Sequence, residues 1–186
     1  MRRYFYDTEF IEDGKTIDLI SIGVVADDGR SYYAISTEFN PKKASLWVRD
    51  NVLSHLPPCN VNFSDLSIAP RIKDEAIAWR PRKQIAKDLL AFFRNGPQPE
   101  QEKFELWGYY ADYDHVALCQ LFGTMMDLPK GWPMYTLDLK QWCYQLGDPK
   151  LPEQGKGEHH ALADAKWNRQ VYKFLQLAQQ EKEVVS

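Results

Sequence analysis

The chain has too few cysteines for a disulfide-held fold. Cys59, Cys119 and Cys143 are odd in number and form no Cys-x-x-Cys pair, which supports neither a disulfide framework nor a thiolate zinc site. A reducing cytoplasm is the expected compartment. Long hydrophobic runs are also missing: nothing approaches the ~18 apolar residues that a membrane span requires, so no membrane association is expected. The start, Met1-Arg2-Arg3-Tyr4-Phe5-Tyr6-Asp7, puts aromatics and an acid where a signal peptide would carry an apolar stretch. Excess positive charge is lacking too. With 23 basic against 26 acidic residues the net charge is -3, which excludes a protein that coats long duplexes by neutralising phosphates. Any nucleic-acid contact should be local and short. The one basic concentration holds Arg71, Lys73, Arg80, Arg82, Lys83 and Lys87 against Asp74 and Glu75. It reads as a solvated helix face or as a phosphate-guiding patch.

What is present is ordinary globular composition, 44% hydrophobic and 26% charged over 186 residues, with no repeat or break that would divide it. We expect one domain over residues 1–180. The polar end, 181–186, is expected to fray.

Residues 3 to 10 alternate, Phe5, Asp7 and Glu9 on one side and Tyr4, Tyr6, Thr8 and Phe10 on the other, the period of two of a strand. Ile17 to Ala26 and Ser31 to Phe39 read as two more strands, separated by the turn residues Asp27-Asp28-Gly29. A short helix is expected over Ala44 to Asn51. A long loop follows from Leu53 to Trp79, which holds Pro57, Pro58 and Pro70. Pro81 suits the first turn of a helix carrying Ile85, Leu89, Phe92 and Phe93 at helical spacing. Phe104 to Tyr109 reads as a strand feeding a helix that Asp112 can cap and Gly123 ends. Met134 to Asp138 suggests a fifth strand and Leu139 to Leu146 a short helix. Ala161, Ala165, Tyr172 and Leu175 trace one side of a long final helix. The order predicts an α/β mixed sheet of about five strands.

Asp7 and Glu9, two apart on a strand, point the same way on a face shared with Phe5, so two like charges there call for a counter-ion. An exposed acidic strand end would look the same. Asp114 falls in the first turn of the helix after the fourth strand, where the helix N-terminus favours its charge and α/β proteins gather ligands. A surface acid is the alternative there. His159 precedes the final helix and Asp164 lies one turn inside it, between alanines that allow close approach to another element. Taken singly, His159 could be a surface or capping histidine.

Together, and in this order, Asp7-Thr8-Glu9, Tyr113-Asp114-His115-Val116-Ala117-Leu118 and His159-His160-Ala161-Leu162-Ala163-Asp164-Ala165 resemble the DEDDh family of 3′-to-5′ exonucleases. Tyr6-Asp7-Thr8-Glu9-Phe10-Ile11 makes the small bacterial exoribonucleases of the mycobacterial type the nearest resemblance. The sequence departs from the family's usual His-Asn-Ala at Tyr109-Tyr110-Ala111 and from its Gly-Leu at Phe10-Ile11.

The resemblance implies a ribonuclease H-like sheet with helices on both faces, and release of nucleoside 5′-monophosphates from RNA 3′ ends or short oligonucleotides. It also implies two Mg²⁺ or Mn²⁺ ions held by Asp7, Glu9, Asp114 and Asp164, with Asp7 bridging both and His159 as general base. Carboxylates without thiolates suit such hard cations. Thr8, Phe10 and Tyr110 are the candidate substrate contacts, a terminal base being commonly held by stacking. DNA as the polymer, or a catalytically silent nucleic-acid-binding module, are the alternatives. Family analogy admits a homodimer.

Overall fold

The computed structural model describes residues 1–59, 78–94, 103–155 and 157–185. Strands β1 (Arg2–Glu12), β2 (Ile17–Ala26) and β3 (Ser31–Ser36) form an antiparallel meander. Aromatic and β-branched residues suit a pleated surface buried on both sides, and β2 is almost wholly buried. Helix α1 (Leu46–Asn51) follows, capped by Ser45, whose hydroxyl accepts the Val48 N–H at 3.2 Å.

Strand β4 (Trp79–Arg80) pairs parallel with β3 and leads into helix α2 (Arg82–Arg94). Strand β5 (Phe104–Gly108) pairs parallel with β1 and feeds helix α3 (Asp112–Gln120). Strand β6 (Leu137–Asp138), parallel to β5, runs straight into helix α4 (Leu139–Gln145), and helix α5 (Ala161–Val185) closes the chain. The sheet order is β4-β3-β2-β1-β5-β6.

Alternation along β1 divides the core. Tyr4 and Tyr6 face a cluster with Ile85, Leu89 and Phe93 of α2 and Ala117 and Leu118 of α3. Phe5 faces the opposite side, with Leu139 and Cys143 of α4 and Val171, Tyr172 and Leu175 of α5. Truncating a buried leucine such as Leu89 should cost about 2–5 kcal/mol. The mixed sheet with helices on both faces is as expected.

Several boundaries differ. The sheet has six strands, because the two-residue β4 carries no periodicity to read. Asp112 does not cap α3: it is the first helical residue, the N-cap is Ala111, and no side chain caps that end. The Asp138 carboxylate instead accepts the Ala111 N–H at 2.9 Å, tying α3 to β6. Pro81 stands one residue ahead of α2, and the Glu38 carboxylate accepts the free Arg82 N–H at 2.7 Å. Helix α5 continues to Val185, past residue 181 where fraying was expected.

The basic concentration is not one surface. Arg80 is 1% exposed and lies 3.8 Å from Asp88, while Arg82 pairs with Asp18. Arg71 and Lys73, like most of the expected 53–79 loop, lie outside the described residues. Among the described residues no helix is long and apolar enough to cross a membrane.

Candidate metal centre and nucleic-acid cleft

Strand β1 is longer than its parallel neighbour. The pairing ends at Phe5 with Trp107, so from Tyr6 onward the β5 side of β1 is open. That open edge must find other hydrogen-bond partners, since buried backbone groups left unpaired are costly. Asn168 of α5, 1% exposed, donates its amide to the Tyr6 carbonyl at 3.0 Å. Asp114 of α3 accepts the Thr8 N–H at 2.7 Å and the Thr8 hydroxyl at 2.6 Å. The two helices are thereby fastened to β1 on either side of Asp7.

Thr8, a candidate substrate contact, has a structural task here. It is 5% exposed, and its hydroxyl and N–H both serve Asp114.

Close approach of α5 depends on a glycine that composition alone does not flag. Gly23 lies opposite Asp7 in the β1–β2 register, and a Cβ there would sit 2.3 Å from the Ala161 carbonyl oxygen. With Gly23 below it and Ala161 and Ala165 fully buried, the first turn of α5 rests directly on the sheet. A glycine inside an apolar strand was the available signal.

Asp164 is thus carried to β1. One carboxylate oxygen from each of Asp7, Glu9 and Asp164 falls within a group whose members lie within 4.8 Å of one another. Burial raises all four acids, and the charge of neighbouring acids adds to it at Asp7 and Glu9. Asp7 is held well above the ordinary carboxylate range, by burial first and then by the charges of Asp114, Asp164 and Glu9. Burial, with the charge and hydrogen bond of Asp164, pushes Glu9 up to about 8. Asp114 is raised by burial to about 6 although its bonds to Thr8 work the other way. Burial raises Asp164 too, partly offset by hydrogen bonds from Gln154 and Glu9 and by His159 and His160.

Three crowded carboxylates without a thiolate form a donor set for a hard, oxygen-preferring divalent cation. A half-buried cluster of negative charge calls for such a counter-charge.

His159 and His160 divide the work that the sequence left undecided. His160 Nδ1 accepts the Ala163 N–H at 3.4 Å, and its ring stacks on Tyr33 at 4.4 Å, so the capping histidine is His160. His159 sits at φ 65, an uncommon conformation for a residue with a side chain. Its ring lies edge-on to Trp47 of α1, 4.7 Å between centroids. It lines a cavity of about 160 Å³ with Asp7, Asp164, Tyr109, Gln154, Glu158, Trp167 and Asn168.

Of the remaining candidates, Phe10 is half-buried and meets the ring of Tyr113 edge-on at 5.8 Å. Tyr110 is 66% exposed at φ 56 and packs against Tyr109 at 4.9 Å. Gln154, Asn168, Gly23 and Trp47 are the residues that sequence reasoning missed.

The mixed sheet carries helices on both faces, with acids gathered where β5 leaves β1. Two solved structures of exonuclease I share that architecture. The E. coli enzyme, zinc-bound and in complex with single-stranded DNA, matches with a TM-score of 0.54 at 12% identity, over 97% of this chain and 41% of that one. A second exonuclease I structure matches with a TM-score of 0.52 at 12% identity, over 93% of this chain and 41% of that one.

The family model described as the 3′-5′ exoribonuclease Rv2179c-like domain matches residues 67–176. The 3′-5′ exoribonuclease Rv2179c of Mycobacterium tuberculosis strain H37Rv is 48% identical over 164 residues, 88% of this chain and 87% of that protein. Its counterpart from strain CDC 1551 / Oshkosh matches to the same extent. The chain belongs to this exoribonuclease family.

Proposed function

We propose that this chain hydrolyses RNA from its 3′ end, one nucleoside 5′-monophosphate at a time. The observation that carries the reading is the meeting of Asp7, Glu9 and Asp164 within 4.8 Å beside Asp114, with Asp7 and Asp164 lining one cavity with His159.

Asp7, Glu9 and Asp164 would hold one Mg²⁺ or Mn²⁺, and Asp7 with Asp114 a second. When bound, such ions lower the pKa of water and stabilise the charge that develops on the departing 3′ oxygen. His159 takes the proton from the attacking water as the new oxygen–phosphorus bond forms. The bond from phosphorus to the 3′ oxygen of the preceding nucleotide breaks, and that oxygen is protonated from solvent. Exposed, at positive φ and edge-on to Trp47, the His159 imidazole lies on the cavity wall rather than buried in packing.

The exposed rings of Tyr110 and Tyr113 and the half-buried Phe10 offer faces on which unpaired bases stack, a contact worth about 1–3 kcal/mol per base. Stacking is sequence-tolerant and needs no dense positive surface, in keeping with a net charge of -3. Short single-stranded 3′ ends are therefore the proposed substrates.

The test is incubation with end-labelled RNA and DNA oligomers in Mg²⁺, Mn²⁺ or EDTA. We expect a one-nucleotide ladder from the RNA 3′ end that EDTA abolishes. Internal cuts, or release that survives EDTA, would contradict the reading. Faster degradation of the DNA oligomer would reassign the substrate.

A further inference from the structure

We propose that Gln154 is a positioning residue for the cation site, its side-chain amide holding the Asp164 carboxylate in the orientation in which it ligates. This rests on the reading of the acidic cluster as a divalent-cation centre.

Gln154 Nε2 donates to Asp164 Oδ1, and the half-buried Gln154 lines the same cavity as Asp7, His159 and Asp164. Its reach is fixed by the backbone around it. Two residues earlier, the Pro152 carbonyl accepts the Trp167 indole N–H at 3.0 Å. Leu151 packs on the cluster of Leu139, Tyr172 and Leu175. Trp167 follows Asp164 by three residues, so the anchor and the acid share one face of α5. The segment that carries Gln154 is thus pinned to the helix that carries Asp164.

Like charge explains why the acid needs holding. Asp7 and Glu9 crowd Asp164 within 4.8 Å, and once all three are ionised their repulsion favours rotamers that turn its carboxyl away. An amide donor on Oδ1 opposes that rotation. A carboxylate has about four lone-pair sites, so the Gln154 bond to Oδ1 leaves others for a cation. Thr8 does the same for Asp114, through Oδ1 alone. Two of the four acids therefore share one design, in which a neutral donor holds Oδ1. Partners of this kind typically change metal affinity about 10–100-fold when removed.

The experiment is a calorimetric Mn²⁺ titration of the full chain, wild type against Gln154→Met, which keeps the side chain's length and deletes its amide. We expect the Mn²⁺ Kd to rise about tenfold or more. The unfolding temperature in EDTA should stay near that of wild type. Trp167→Phe, which frees the Pro152 carbonyl, should weaken Mn²⁺ binding by a smaller factor, and Gln154→Ala reports the same deletion if the methionine variant does not fold. A Kd in Gln154→Met within about twofold of wild type, or a tighter one, would overturn the proposal. Absence of Mn²⁺ binding by the wild-type chain would overturn the cation reading as well.

Discussion

Asn168 donates its side-chain amide to the Tyr6 carbonyl at 3.0 Å, joining the last helix to the first strand across 162 positions of sequence. The carbonyl belongs to the residue before Asp7, and Asn168 lies one helical turn beyond Asp164. A buried hydrogen bond thus helps to set the distance between two acids of the cluster. Asn168→Ala removes the donor and leaves the carbonyl without it, a change that costs about 1–3 kcal/mol. Urea unfolding should register that loss, and Mn²⁺ affinity should fall with it. Unchanged stability would mean that the carbonyl finds another partner.

The Thr8 hydroxyl plays the matching part for Asp114. Thr8→Val keeps the shape and the backbone N–H but deletes the 2.6 Å bond, whereas Thr8→Ser keeps the donor. We expect the valine variant to lose about tenfold or more in turnover, the usual size of such a loss around a ligand, and the serine variant to stay close to wild type. Equal rates on end-labelled RNA in all three would leave the hydroxyl without a role.

Gly23→Ala should be the most damaging small change in the sheet. The new methyl would meet Ala161 backbone atoms at 2.3–2.4 Å, and neither the strand nor the helix start can yield without parting Asp164 from Asp7. Overpacking typically costs about 1–3 kcal/mol, and this contact with backbone belongs at the upper end. Thermal unfolding and Mn²⁺ titration should deteriorate together. Gly14→Ala, which meets nothing within 4 Å, separates this contact from the φ +80 strain of its own position by leaving Mn²⁺ affinity intact.

Without metal, the protein should lose stability as pH rises. Glu9 titrates at about 8 in the fold against an ordinary 4.5, and Asp114 at about 6 against 3.8. Across those windows the folded state holds more protons than the unfolded state, so stability declines with pH. Below about 4 the effect is absent. In EDTA the unfolding temperature should drop between pH 5 and about 8. Added Mn²⁺ replaces the protons, so its stabilising effect should grow over the same range. A rise in EDTA-state stability through that window would contradict the placement of the acids.

Much of this was legible in the sequence because each element carries its own acid in a local pattern. The period of two put Asp7 and Glu9 on one face of β1, and the alanines around Asp164 signalled close packing of α5. The contacts that orient those acids were not legible. Asn168 and Gln154 act on residues brought near only by the fold, and no periodicity links Gly23 to Ala161. Asp112 misled for a related reason: it has the chemistry of a helix cap, yet Asp138 already holds the start of α3 from another strand. Strand β4 has two residues and therefore no pattern, and Arg80 within it is basic in sequence but buried against Asp88.

The proposed base and the proposed ligands are separable by mutation. His159→Ala should lower turnover by about 10²–10⁴-fold while Mn²⁺ still binds. Asp7→Asn should abolish both. Equal turnover in His159→Ala and wild type would take the imidazole out of the reaction.

Anomalous diffraction from crystals soaked in Mn²⁺ and a nucleoside monophosphate tests the central claim most directly. The account predicts one manganese peak bounded by Asp7, Glu9 and Asp164 and a second on the Asp114 side of Asp7, with the phosphate beside them and His159 facing it. Peaks elsewhere on the surface, with these carboxylates left bare, would contradict it.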